Sequence, residues 1–362
     1  MGSDQRRIGI FGMGLLGGSV ALALRARGGD VELHAYDPDP GALEAALACG
    51  AADRVHATLG PWIAELDLGV LAAPVGALPA LAEGVAPHAA PGSRWTDVGS
   101  VKGPIVRSLA PLLPGYVGGH PMAGRETPGI HNAHAGLLQN AVWVLTPTAE
   151  TAPADLEAHR AVVTELGAYP LVLAPDLHDR LVARVSHVPY LLAVALNLLI
   201  ARDPDHEHLL FLAAGGFRDV TRVASGAPAM SRDMVSENRD AVREALDDLE
   251  GILADLRARL DAPESLLDAA WEAKRTRDAL PVVKRALLPQ LFDLFLALAD
   301  QPLELARLTT LLGEAGVNIR DIEVIKIRGA GGEAIRVGFA DGEGRDRACE
   351  VLTAAGYRIR AT

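Results

Sequence analysis

The stretch Arg7-Ile-Gly-Ile-Phe-Gly-Met-Gly-Leu-Leu-Gly-Gly-Ser19 constrains this chain most, because it runs an apolar strand into a glycine turn and then opens a helix. Gly12 permits the tight turn, Gly14 lets the backbone approach a pyrophosphate, and Gly17 lets the helix close on the strand. The helix start offers N–H groups to phosphates, so Gly12, Met13, Gly14, Leu15, Leu16 and Gly17 are candidate cofactor contacts. A second strand, Val31 to Tyr36, ends in Asp37, whose carboxylate can accept hydrogen bonds from both ribose hydroxyls. The combination implies a dinucleotide. NAD is expected over NADP, since a 2′-phosphate would meet the charge of Asp37 and no arginine immediately follows to offset it. Ala73 and Pro74, closing the strand Asp67 to Ala73, complete the expected cofactor contacts.

A chain of 362 residues exceeds one comfortable core, so two or three domains are expected. A net charge of −12 argues against non-specific nucleic-acid binding, and an anionic substrate must be met by locally placed arginines. Cys49 and Cys349 lie far apart without ligand spacing, which suits free thiols in a reducing cytoplasm. Met1 to Arg7 is short, polar and leads into a strand, so no signal peptide is expected. Val185 to Ala201 carries no formal charge and nears the lower limit for a membrane span. It also holds Ser186, His187, Pro189 and Asn197, and it reads instead as a buried helix central to a domain or dimer core.

Strand and helix patterns alternate up to about residue 148, with further strands at Arg94 to Val98, Tyr116 to Gly118 and Ala141 to Thr146. This predicts a doubly wound parallel sheet of the Rossmann type, extended by a helix from Glu150 to Leu166 and a strand from Tyr169 to Leu173. From Asp176 to about Pro281 the pattern is almost wholly helical. Within it Val242, Leu246, Leu249, Leu253, Leu256 and Leu260 form a narrow seam on one long helix, to be met by the chain's own core or by a second copy. Strand, helix, strand, strand, helix, strand then follow: Leu291 to Ala299, Leu303 to Ala315, Ile319 to Ile327, Glu333 to Phe339, Gly344 to Ala355 and Tyr357 to Arg360. The expected divisions are 1–174 for the dinucleotide domain, 175–288 for a helical substrate and dimerisation domain, and 289–362 for a separate α+β module.

Three clusters carry candidate chemistry. Asp97-Val-Gly-Ser-Val-Lys102 ends a strand, where open doubly wound sheets bind their ligands. Gly118-Gly-His-Pro-Met-Ala-Gly-Arg-Glu126 reads as a loop presenting His120, a candidate general base that shares the expected cleft with Ser100. Ser186-His187-Val-Pro opens the apolar helix, and Gly215-Gly-Phe-Arg-Asp-Val-Thr-Arg222 follows it. Arg218 and Arg222 stand four apart, so a helix projects both from one face towards a dicarboxylate, or else they pair with Asp219, Asp233 or Glu237. His131 with His134, and His206 with His208, lack a third ligand at metal spacing, and no metal is expected.

These motifs, taken in order with Gly-Met-Gly-Leu-Leu-Gly-Gly-Ser, resemble the prephenate dehydrogenase (TyrA-type) family over essentially the whole chain. The resemblance implies NAD-dependent oxidation of prephenate to 4-hydroxyphenylpyruvate, carbon dioxide and NADH, on the route to tyrosine; a homodimer is expected from the all-apolar helix beside the seam, and a cytoplasmic location from the free thiols. Carried across, it makes His120 the acceptor of the ring hydroxyl proton and lets Ser100 share that hydrogen bond. His187, Arg218 and Arg222 would hold the substrate, with Glu126 lining the site. The last module resembles a ferredoxin-like ACT domain through Asp300-Gln-Pro-Leu-Glu-Leu-Ala-Arg and Gly316-Val-Asn-Ile319, which implies Asp300, Asn318 and Ile319 as effector contacts and tyrosine as the effector. The alternative there is purely architectural pairing. Two positions depart from the pattern: Leu303, where that module commonly has glycine, and Ser231, where many relatives carry tryptophan.

Arogenate differs from prephenate only at the side chain, so an arogenate or dual-specificity cyclohexadienyl dehydrogenase is the near alternative. A β-hydroxyacid dehydrogenase should carry a catalytic lysine in the helical region, and none occurs between Lys102 and Lys274. A non-catalytic NAD-binding amino-acid sensor is the remote alternative, and it has no need of Ser100, His120 and the arginine pair together.

Overall fold

Short apolar strands separated by helices build the first part of the chain. The structure, a computed structural model, describes residues 5–124, 127–280, 292–298, 301–326 and 333–360. Its contacts divide the chain into two units, residues 1–275 and 276–362. In the first unit the strands are β1 (Arg6–Phe11), β2 (Val31–Tyr36), β3 (Arg54–His56), β4 (Leu68–Leu71), β5 (Arg94–Asp97), β6 (Tyr116–Pro121), β7 (Val142–Thr146) and β8 (Tyr169–Val172). They form one sheet in the order β3-β2-β1-β4-β5-β6-β7-β8.

The sheet is parallel from β3 to β6, as a doubly wound reading requires, whereas β7 runs antiparallel to β6 and β8 parallel to β7. A parallel return needs a crossover element. The described part of the connection between β6 and β7 has only a single 3₁₀ turn, Ile130–Asn132, so the chain re-enters from the edge it left.

Helices α1 (Leu15–Ala26), α2 (Pro40–Ala48), α3 (Leu78–Val85), α4 (Gly103–Leu109) and α5 (Pro153–Glu165) cover both faces of the sheet. On one face Val20 and Leu24 of α1 and Val163 of α5 pack on Ile8, Ile10, Leu33 and Val70. On the other, Leu78 and Ala82 of α3 and Ile105 and Leu109 of α4 pack around Phe11, Leu71 and Trp95. Two separate cores are what a sheet apolar on both faces demands.

Helices α6 (Pro175–Val182), α7 (Val188–Ala201), α8 (His206–Leu212), α9 (Gly215–Thr221), α10 (Pro228–Glu237), α11 (Arg239–Ala258) and α12 (Pro263–Asp278) follow. A π-helical turn, Ala183–His187, joins α6 to α7. Pro189 lacks a backbone donor at that point, and the widened turn absorbs the break without ending the helical run.

Within a single copy of the chain the apolar run 185–201 is largely exposed, so of the two settings expected for it, a domain core or a dimer core, the chain's own core does not cover it. Val185 is 69% and Leu199 70% exposed, and in α7 only Val188 and Ala193 are buried. The small core of the helical region, Ala183, Val188, Val242 and Ala245, is too small to cover an all-apolar helix. The seam on α11 is divided in the same way: Val242 is buried and Leu246 and Leu249 pack beside it, whereas Leu253 and Leu260 face outward. The run 175–201 is long and apolar enough to cross a bilayer by length and composition alone. Its first ten residues nevertheless carry Asp176, His178, Asp179, Arg180 and Arg184, and His178 and Asp179 are buried in protein contacts.

The second unit contains β9 (Phe292–Leu298), α13 (Glu304–Glu314), β10 (Asp321–Lys326), β11 (Glu333–Phe339), α14 (Gly342–Ala354) and β12 (Arg358–Arg360). Its sheet has the order β10-β11-β9-β12, with every neighbouring pair antiparallel. Alternation along β9 turns Leu294, Leu296 and Leu298 inward, where Leu308 and Leu312 of α13 and Leu352 of α14 meet them. Leu303 is the N-cap of α13 and has φ +72°, with its side chain 80% exposed.

Candidate active site

The carboxyl ends of β1, β2, β4 and β5 and the last residues of β6 bring the expected cofactor and catalytic residues to one edge of the sheet. Gly12 has φ +111°, and a Cβ there would lie 2.6 Å from the Ala72 carbonyl oxygen. A Cβ on Gly17 would lie 1.9 Å from the Gly12 oxygen, whereas one on Gly14 would meet nothing within 4 Å. The turn is thus closed on the protein side and open where a phosphate would enter. The α1 N-terminus has no side-chain cap and no acidic residue in its first turn, leaving the N–H groups around Leu15 and Leu16 for an anion. Asp37 accepts from the Met13 N–H at 2.7 Å and from the Asp39 N–H at 2.9 Å, which ties the carboxylate expected at the ribose to the turn. Half-buried Ala73 and exposed Pro74 lead out of β4, and the carboxylate of Asp233 on α10 lies over neighbouring Gly76. These features fit a bound dinucleotide.

His120 stands inside β6, paired with Val144 of β7, and not on the loop that its glycine-rich surroundings suggest. The glycines serve close packing: a Cβ on Gly118 would lie 2.4 Å from Thr146 Oγ1, and one on Gly119 2.4 Å from the Asp97 carbonyl oxygen. Beneath the strand, buried Asp97 pairs with the ammonium of buried Lys102. Asp97 also accepts from Tyr116 Oη at 2.8 Å, the Gly119 N–H at 3.0 Å and the Gly99 N–H at 2.9 Å. Lys102 Nζ donates to the Gly119 carbonyl at 2.8 Å. Burial pushes the Lys102 pKa down while the Asp97 carboxylate opposes that shift; burial and Asp97 together push the Tyr116 phenol up. Lys102 is accordingly a structural cation that holds the residue before His120.

His178 and Asp179, which the motif reading did not single out, complete this region. His120 Nδ1 lies 2.8 Å from His178 Nε2, and His178 Nδ1 lies 2.8 Å from Asp179 Oδ1. Asp179 also accepts from the backbone N–H groups of Lys102 and Gly103, each at 2.7 Å. A first-turn His-Asp pair ordinarily reads as solvated helix start. The available signal was its position directly after the predicted sheet, where a new domain begins to face the cleft.

His187 is buried, and Asn238 Nδ2 donates both to its Nδ1 at 3.1 Å and to the Asp179 carbonyl at 2.9 Å. Burial lowers the His187 pKa to about 4, with Asp179 opposing the shift and His178 adding to it, so the ring is neutral and carries its proton on Nε2. Half-buried Ser100 sits in the loop after β5, and among the described residues no hydrogen bond joins it to His120. Arg218 at the end of α9 and Arg222 in the following 3₁₀ turn line one open cavity of about 460 Å³ with Val194, Asn197, Leu198 and Thr221. Among the described residues Arg218 forms no ion pair, and Asp233 is taken by Arg232 at 2.6 Å. Ser231 is buried in α10. Glu126 and Asp300 lie outside the described residues; Asn318 is exposed between α13 and β10, and Ile319 packs on the core of the second unit.

Comparison with known proteins adds the family. The model for the nucleotide-binding domain of prephenate dehydrogenase matches residues 20–172, starting just after the glycine turn, and that for its dimerization domain matches residues 174–266. The prephenate dehydrogenase of Bacillus subtilis (strain 168) is 29% identical over 356 residues, 95% of each chain. The cyclohexadienyl dehydrogenase of Zymomonas mobilis is 32% identical over 282 residues, 76% of this chain and 96% of the relative. The crystal structure of A. aeolicus prephenate dehydrogenase in complex with hydroxyphenyl propionate and NAD+ has a TM-score of 0.73 at 30% identity, covering 78% of this chain and 100% of that one. Two consecutive domain models, in the order in which the sheet and the helices occur, together with relatives matched over most of their length, mean that this chain belongs to the prephenate dehydrogenase family.

Proposed function

We propose that the chain catalyses the NAD-dependent oxidative decarboxylation of prephenate to 4-hydroxyphenylpyruvate and carbon dioxide, a step of tyrosine biosynthesis in the cytoplasm. The observation that carries this reading is that His120 stands on the same sheet edge as the glycine cradle and Asp37. NAD, when bound, supplies the acceptor for the hydride. His120 takes the ring hydroxyl proton as the carbinol carbon is oxidised, and loss of the ring carboxylate as carbon dioxide leaves the aromatic product. The driving force is therefore intrinsic to the substrate, and the chain's work is alignment and charge stabilisation. Ser100 shares the hydrogen bond to the hydroxyl, neutral His187 donates from Nε2, Arg218 and Arg222 hold carboxylate, and Glu126 lines the site. The three-part division at 174/175 and 288/289 belongs to the same reading.

The exposed apolar side of α7, within the region matching the family's dimerization domain, supports a homodimer whose second copy covers it. The strand order and two helices of the second unit support an ACT-type module. Asp300, Asn318 and Ile319 would be its effector contacts and tyrosine its effector. The similarity to a cyclohexadienyl dehydrogenase favours a second reading in which arogenate is also oxidised. One assay tests both readings: purified protein with prephenate or arogenate, each with NAD or NADP, following reduced nicotinamide. Rapid NADH formation from prephenate is expected, and no reduction with either substrate overturns the proposal. Tyrosine titrated into the same assay should inhibit, and absence of both inhibition and binding removes the regulatory reading.

A further inference from the structure

We infer that His178 and Asp179 are positioning residues that fix which nitrogen of His120 carries its proton. The inference rests on the function proposed above, with His120 as the base. An ionised carboxylate only accepts hydrogen bonds, so the 2.8 Å contact from Asp179 Oδ1 requires the proton of neutral His178 to sit on Nδ1. Its Nε2 is then an acceptor. The 2.8 Å contact to His120 must accordingly be donated by His120 Nδ1–H, which assigns the basic lone pair of His120 to Nε2. The two rings meet edge to face, with planes 74° apart, an arrangement in which an N–H of one points at the in-plane lone pair of the other.

Asp179 is itself held. The backbone N–H groups of Lys102 and Gly103 fix its two oxygens at 2.7 Å, and Asn238 holds its carbonyl. The loop after β5, the start of α4 and the start of α6 thus converge on one carboxylate whose remaining contact is His178. When His120 Nε2 takes the substrate proton, the new imidazolium keeps donating from Nδ1 to His178, and the charge is answered by Asp179 two bonds further on. A proton taken from solvent by His178 Nε2 has the opposite effect. Both His178 nitrogens then donate, His120 must accept at Nδ1, and its own proton moves to Nε2, where it cannot act as a base. Among the described residues, the ionisable groups around this pair are Asp179, His187, the Lys102–Asp97 pair and, beside Gly103, the Arg107–Asp176 pair.

The test compares His178→Phe, His178→Gln and wild type in the full chain with NAD and prephenate. His178→Phe is expected to lower kcat by about 10- to 1000-fold, with NAD affinity and the prephenate KM within about threefold, and to move the acid limb of kcat/KM to lower pH because the acceptor is gone. His178→Gln, whose amide oxygen can accept from His120 Nδ1, should recover at least about tenfold of that loss. A kcat within about twofold of wild type and an unmoved acid limb for His178→Phe, or no recovery in the glutamine variant, overturns the inference. If the phenylalanine variant fails to fold, nitrogen NMR of imidazole-labelled wild type decides: a protonated Nδ1 on His120 supports the arrangement and a protonated Nε2 overturns it. Wild type that reduces no NAD with prephenate or arogenate defeats the proposed function instead, and the tautomer measurement still tests the hydrogen-bond chain.

Discussion

Lys102 donates from a fully buried ammonium to the carbonyl of Gly119, 2.8 Å away, so the residue before His120 is held by a charge that never reaches solvent. Its partner Asp97 takes the N–H of the same Gly119. Replacing Lys102 by Met leaves the Asp97 carboxylate buried and unanswered, and loss of one partner of such a pair costs about 3–5 kcal/mol. Denaturant unfolding should show that loss, and Asp97→Asn combined with Lys102→Met should recover most of it. A single variant as stable as wild type contradicts the assignment.

His120→Asn should bind NAD with unchanged affinity and lose about two to four orders of magnitude in turnover, the usual worth of a positioned base. Stopped-flow turnover and cofactor fluorescence titration separate the two effects. Turnover preserved within a few-fold means that His120 is not the base.

Burial holds the folded-state pKa of His187 at about 4, below the 6.5 of a solvated imidazole. The unfolded chain therefore takes up the proton first. The stability tied to this group is complete above about pH 6.5 and is lost as the pH falls towards 4, on the order of 3 kcal/mol in all. Unfolding free energy measured between those limits should fall more steeply for wild type than for His187→Gln. Equal slopes would show that the ring is not buried in its neutral form.

Leu303 holds φ +72°, a left-handed conformation that a side chain makes costly and glycine accepts. Leu303→Gly should stabilise the second unit by about 1 kcal/mol despite the greater freedom glycine gives the unfolded chain. Calorimetry of the full-length variant checks this, and a lower melting temperature would be the contrary result.

Leu199 is 70% exposed on α7. If a second copy covers that helix, Leu199→Glu should weaken association by at least about tenfold while leaving the dinucleotide domain able to bind NAD. Light scattering across a dilution series reads the change directly. An unaltered mass at every concentration removes α7 from the interface.

The elements whose logic is local were legible in the sequence. The glycine turn and Asp37 need only a strand, a helix and a second strand in succession, and β2 spans Val31–Tyr36 as read. In the second unit, alternation and helical spacing located each element to within a few residues. What escaped depends on distant partners. β3 is three residues long and exists because β2 offers it an edge. Gly-Gly-His-Pro resembles a loop until Asp97, Thr146 and β7 are seen pressing on it. His178 and Asp179 gain their meaning from His120, 58 residues earlier in the case of His178. The run 185–201 was legible as an apolar helix, but periodicity does not say what covers it.

The two residues before His120 have no room for a side chain, and this has a consequence for sequence drift. A saturation library read out by growth on the pathway should tolerate changes at 118 and 119 as poorly as changes at 120. Any redesign for a different substrate must accordingly reshape the surrounding loops and leave this strand as the immovable anvil of the site.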